Sequence, residues 1–139
     1  MTPATGNRRR SRILALQALY EADTSSHLPE EAIDRRMERK SESELVVSFA
    51  RVLIRGVGMN RAEIDRIISE SAPQWPLADV AVVDRNILRL AIYEVLFDNE
   101  TPVRAAVNEA VDLARTFGSE NSARFVNGVL GTVAAKTAR

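Results

Sequence analysis

The sequence predicts an all-α domain of about seven helices. Large apolar residues return every three or four positions in one segment after another, the period of amphipathic helices. The breaks between segments carry helix-start and helix-stop chemistry, among them Pro29, Pro102, Gly56, Gly58 and Gly118. Only Val126-Asn127-Gly128-Val129 reads as a hairpin turn between strands, and no other segment offers it a partner strand. A single domain is expected from 139 residues that are 45% hydrophobic, burying roughly 70% of its unfolded surface.

The first helix is expected from Asn7 to Asp23, with Ile13, Leu16, Leu19 and Tyr20 at helical spacing. It begins in Arg8, Arg9, Arg10 and Arg12, and no acid occurs in the first twenty residues. Cations in a first turn oppose the helix dipole by roughly 0.3 to 1 kcal/mol each, so foldability does not place them there. A polyanionic ligand would reverse the sign, while a solvated basic tail is the other reading. Gln17, Tyr20, Glu21 and Asp23 cut the following apolar run too short for a signal peptide, and no membrane span is expected elsewhere.

Residues 24–44 hold a short helix starting at Pro29, with Ile33 and Met37 one turn apart and a solvated, mixed-charge run from Asp34 to Lys40. Ser41 with Glu44 suggests a capping box for a third helix carrying Leu45, Phe49, Val52 and Leu53 and ending near Gly56 and Gly58. Asn60 with Glu63 suggests another for a fourth, carrying Ile64, Ile67 and Ile68 and stopping before Pro73. Trp75-Pro76-Leu77 is a rigid link, and Trp75 is expected where two halves of the molecule meet.

From Val82 to Phe97 the apolar residues fall on nearly every side of a helical wheel, which predicts a central helix enclosed by others. Glu94 lies on its apolar side and reads as a structural hydrogen-bonder. Asn99 and Glu100 lead to Thr101 as N-cap and Pro102 at the first position of a sixth helix, whose stripe runs from Val103 to Phe117 before Gly118 closes it. Ser119 is expected to cap a seventh helix with Val126, Val129, Leu130 and Val133 inward. Gly128 inside it costs about 1 kcal/mol, tolerable where two backbones approach closely. The expected halves are residues 7–72 and 75–136.

The chain has no cysteine and a single histidine, His27. That excludes disulfides, thiolate metal sites, Ser-His-Asp triads and paired-histidine metal centres, and no Gly-rich phosphate loop is present. No enzyme activity, metal or cofactor is expected. Seventeen of the nineteen basic residues are arginine while the net charge is zero, so any polyanion site depends on where the charges lie. The stretch Phe117-Gly118-Ser119-Glu120-Asn121-Ser122-Ala123-Arg124-Phe125 sets two aromatics and an arginine at a helix N-terminus. Free amides there favour phosphate, and aromatic faces stack unpaired bases. Phe117 fits the apolar stripe of its helix, and Phe125 is the better base platform; both filling the core is the alternative.

The pattern Val83-Asp84-Arg85-x-Ile87-Leu88-Arg89-x-Ala91-x-Tyr93-Glu94, with Val107-Asn108-Glu109-Ala110 and Phe125-Val126-Asn127-Gly128-Val129-Leu130, resembles the NusB family of bacterial transcription antitermination factors. The resemblance implies a cytoplasmic all-helical protein that binds single-stranded boxA leader RNA of ribosomal transcripts with NusE, a small-subunit ribosomal protein, and loads onto RNA polymerase. It implies RNA contacts from Arg8, Arg9, Arg10, Arg12, Phe117, Gly118, Asn121 and Phe125, with Arg89 supporting that surface. It places Tyr20 and Asp84 near the junction of RNA and NusE, although Asp84 also suits a helix start. Asn108, Glu109 and Asn127 match the family and are expected in buried hydrogen bonds. The chain ends at Arg139 without an extended basic tail, so NusE is expected to supply much of the RNA affinity. Two rivals are a domain once fused to a ribosomal RNA methyltransferase, for which this chain lacks both room and cysteine, and a protein-interaction bundle that touches no RNA.

Overall fold

A computed structural model describes residues 5–98 and 100–137, the side chain of Thr5 excepted. Seven α-helices run α1 (Thr5–Thr24), α2 (Pro29–Arg39), α3 (Glu44–Met59), α4 (Arg61–Ser71), α5 (Val82–Tyr93), α6 (Val103–Phe117) and α7 (Ser122–Ala135), with no strand among the described residues. A 3-10 turn at Leu77–Asp79 precedes α5, and a π-turn at Glu94–Asp98 follows it. The all-α expectation holds, and Val126-Asn127-Gly128-Val129 lies inside α7. The backbone gathers into two compact units, one ending at Arg55 and the other beginning at Gly56.

In the first unit α1 packs on α2, burying Leu14, Leu16 and Leu19 of α1 and Ala32 and Ile33 of α2. The Ser11 hydroxyl lies 2.8 Å from the carbonyl oxygen of Val46, tying α1 to α3. Pro29 opens α2 as expected, and the Leu28 N–H donates to the Glu31 carboxylate at 2.9 Å. The expected cap at Ser41 is displaced by two residues: the Val46 N–H donates to Ser43 Oγ at 3.3 Å. Ser43 sits directly before the first helical residue, within reach of the free amides.

The second unit is built around α5, which packs on α4, α6 and α7. Ile87, Leu88, Leu90, Ile92 and Val95 are at most 1% exposed. Three polar groups in this core are braces. Arg89 forks onto Asp65 of α4, Nε to Oδ1 at 2.8 Å and Nη2 to Oδ2 at 3.1 Å, and its Nη1 donates to Asn86 Oδ1 at 3.0 Å. Glu94 is the structural carboxylate expected, accepting from the Thr101 hydroxyl at 3.1 Å. Thr101 therefore does not cap α6, whose N-cap position is held by Pro102 without a side-chain bond; Asn99 lies outside the described residues.

The glycine that permits close approach is Gly56, not Gly128. A methyl at position 56 would overlap the Tyr93 ring and come 2.7 Å from its hydroxyl, whereas one at position 128 would meet nothing within 4 Å. Asn60 opens α4 without a side-chain cap, its amide donating back to the Gly56 carbonyl at 2.8 Å. No helix among the described residues is long and apolar enough to cross a membrane.

Candidate nucleic-acid interface

The basic residues of the first unit do not act alike. Arg8 sets its guanidinium carbon 3.6 Å from the centroid of the Phe49 ring, and Arg12 sets its own at 5.9 Å from the same ring. Such contacts hold a cation against the negative face of an aromatic. Arg12 is only 5% exposed, so its expected role as a phosphate ligand is corrected: it is committed to packing. Arg9 and Arg10 are exposed, and Arg10 Nε donates to Glu42 at 3.1 Å. The first described turn of this helix holds no acid, which leaves the helix start positive. Tyr20 is exposed twelve residues further on, about 18 Å along the axis from Arg8 at 1.5 Å per residue.

In the second unit the connection from α6 to α7 forms the rim of a cleft of about 450 Å³. Gly118 ends α6 in an extended conformation, φ −92°. Its need is for space: a methyl there would overlap the side chain of Ser122 and come 2.7 Å from the Ala114 carbonyl oxygen. The turn is closed by the Ser119 N–H donating to Ser122 Oγ at 2.8 Å and the Ser122 N–H donating to the Ser119 carbonyl at 3.1 Å. Ser122 thus replaces Ser119 as the side chain that organises the break. Asn121 is left exposed at the N-cap of α7 with no side-chain cap bond, beside amides that have no partner within the helix.

Phe125 enters the cleft from the first turn of α7, half-buried. Trp75 meets it edge to face, centroids 6.4 Å apart at 81°. Trp75 is itself 52% exposed, so it is a wall of the cleft, which nothing in its neighbouring prolines indicated. Phe117 is 37% exposed at the end of α6. The remaining lining includes Asp79, Ser119, Asn121, Arg124 and Asp84. Arg124 is exposed and makes no ion pair among the described residues. Arg89 does not line the cleft: 2% exposed, its fork is held by Asp65 and Asn86, so its expected part is limited to support from within, without contact.

Asp84 stands in the first turn of α5. It is 7% exposed, and its Oδ1 is buried without a hydrogen-bond partner. It stands in the wall of the cleft. Asn108 and Asn127 are exposed instead of buried; they line a polar groove between α6 and α7 with Asp112, Arg115 and Arg124.

A family model described as the NusB family matches residues 9–135. The transcription antitermination protein NusB of Roseiflexus castenholzii (strain DSM 13941 / HLO8) is 47% identical over 131 residues, spanning 93% of this chain and 92% of that protein. The protein of the same name from Desulforudis audaxviator (strain MP104C) is 48% identical over 126 residues, 91% of each. Among solved structures, T. maritima NusB superposes with a TM-score of 0.85 at 35% identity, covering 99% of this chain and 94% of that one. A chain from a complex of the antitermination factors NusB and NusE with double-stranded RNA gives 0.84 at 27% identity, covering 94% and 97%.

Proposed function

The chain belongs to the NusB family, and from that premise we propose that it is a transcription antitermination factor. It holds a single-stranded boxA-type leader RNA together with the NusE-type ribosomal protein, and the pair acts in the cytoplasm with RNA polymerase to carry transcription through ribosomal RNA operons. Its activity is binding, with no covalent step.

The cleft in the second unit carries this reading. Two aromatic rings, one of them half exposed, stand beside an exposed arginine and a helix N-terminus without a side-chain cap. Single strands are held by that combination: stacking for unpaired bases, cation and amides for the backbone. Arg9 and Arg10 add exposed cations on the first unit. Tyr20 suits the protein partner, since an exposed tyrosine supplies large amphipathic contact area at small entropic cost. The solved relative bearing NusE and RNA supports both partner classes.

A titration of a boxA-type oligonucleotide, with and without the NusE-type protein, tests the reading. Saturable binding that tightens when the partner is present is expected; no binding under either condition would refute it. Tyr20→Ala should weaken the partner's contribution while leaving RNA binding by the chain alone unchanged.

A further inference from the structure

We propose that the groove between α1 and α2 docks an acidic peptide segment of another protein, with an aliphatic side chain on the groove floor and its flanking carboxylates on the rim. All of the groove's residues belong to the first unit, and the site stands whether or not the chain holds RNA.

The run from Asp34 to Lys40 mixes both signs in sequence, and α2 sorts them in space. Its acids turn to α3: Asp34 Oδ1 accepts from Arg51 at 2.6 Å, and the Glu30 carboxylate accepts from Arg51 at 3.2 Å and from Arg55 at 3.0 Å. Arg39 and Lys40 follow Arg36 at the spacing that sets side chains on one helical face, and all of them line a cavity of about 370 Å³ against α1. Arg10 joins them from α1, so four cations meet one acid, Glu42, in the lining. Glu38 is exposed and lies outside it. Arg39 and Lys40 are exposed and make no ion pair among the described residues, and Arg36 stands 3.9 Å from Glu21. Cations in a last turn suit the helix dipole, which accounts for their sign on α2. It does not account for Arg10, nor for the apolar surface left open between the two helices.

That surface decides between a peptide and a nucleic acid. The floor is Leu14, buried, with Ile13 and Met37 half-buried, and the described lining holds no aromatic ring. A single strand of RNA would find cations for its phosphates but nothing on which to stack a base. An aliphatic side chain fits Ile13 and Met37, and methionine adapts to partners of different shape. Half-buried Gln17 offers an amide donor and acceptor to a peptide backbone. Glu42 already shows the chemistry the rim takes, its Oε2 accepting from Arg10 Nε at 3.1 Å. Carboxylates brought to Arg39 and Lys40 repeat that contact, as arginine clusters do with acidic motifs elsewhere.

The test titrates the full chain with fluorescein-labelled Asp-Glu-Asp-Leu-Asp-Glu-Asp at about 0.15 M salt, where charges beyond roughly 8 Å are screened. Control peptides carry serine in place of leucine, or lysine in place of every acid. Anisotropy gives the affinity, and the methyl signal of Met37, one of three methionines, reports the site in protein with isotope-labelled methionine. The leucine peptide should bind saturably and shift Met37 at the same midpoint, the serine peptide should bind at least about fivefold more weakly, and the lysine peptide should not bind. Arg39→Gln with Lys40→Gln should weaken the leucine peptide at least about threefold and alter the affinity for a uridine heptamer by less than about twofold. Equal affinities for the leucine and serine peptides in the unaltered chain, binding that leaves Met37 unmoved, or no saturation by about 1 mM overturn the proposal, and none of these depends on how the variant folds. A larger loss for the uridine heptamer than for the peptide in the double variant overturns it too, because the groove would then belong to RNA. If the heptamer does not bind the unaltered chain, the RNA reading is weakened and the peptide series decides this site alone.

Discussion

Removing Asp65 while leaving Arg89 in place tests whether that arginine is a brace or a ligand for RNA. The Arg89 side chain is 3% exposed, and its bidentate fork joins α5 to α4 across 24 positions of sequence. Arginine cannot shed its proton, so Asp65→Ala leaves a buried cation without that carboxylate, its Nη1 still donating to Asn86 at 3.0 Å. Breaking a fully buried pair this way costs about 3 to 5 kcal/mol. The Asp65 side chain is 21% exposed, so water reaches part of the vacated site and about 2 to 3 kcal/mol is expected. Arg89→Met should cost less, because the Asp65 carboxylate then keeps water and its 3.1 Å contact with Arg61. Urea unfolding should show the midpoint falling more in Asp65→Ala than in Arg89→Met at unchanged slope. A loss below about 1 kcal/mol for Asp65→Ala, or RNA binding abolished in a fully folded Arg89→Met, would refute the brace.

Phe125→Ala should cost roughly 1 to 3 kcal/mol of RNA binding but less stability than the roughly 3 to 5 kcal/mol of a buried phenylalanine; a thermal melt showing the larger loss would return this ring to the core. Arg9 and Arg10 changed together to alanine should weaken all RNA sequences alike and reduce the salt slope by about 0.7 per lost phosphate contact, and an unchanged slope would leave them a solvated tail. Gly56→Ala should destabilise by about 1 to 3 kcal/mol or more through overlap with Tyr93, and combining it with Tyr93→Ala should be less than additive in chemical denaturation. Burial, with the carboxylates of Asp98, Glu100 and Glu94, raises the Tyr93 phenol above its ordinary value. The folded protein thus holds this proton more tightly than the unfolded one, so its contribution is complete below about pH 10 and is lost as pH rises through the folded value; Tyr93→Phe should flatten that alkaline limb.

What the sequence disclosed well was periodicity, because burial of one helical face leaves a repeat that needs no knowledge of neighbours. Ile64 and Ile68, or Val126, Leu130 and Val133, were legible in that way and are buried. Caps were less legible. Ser41 and Ser43 are chemically identical candidates, and only the entry path of the chain chooses Ser43. The site was half legible: aromatic residues around a glycine break marked the rim, but Trp75 and Asp84 reach the same cleft from a distant stretch of chain. Arg12 was less legible, because a guanidinium that packs on Phe49 looks in sequence like one that faces solvent.

The packing of α7 back onto α4 has a consequence for synthesis. About fifty residues separate the end of α4 at Ser71 from the start of α7 at Ser122. A ribosome adding roughly 5 to 20 residues each second needs about 3 to 10 seconds to cover that interval. During it, the face of α4 that packs on α7 waits with that flank still unmade, available to chaperones or to a neighbouring nascent chain. The cleft, whose last wall is the first turn of α7, is among the final parts of the second unit to form.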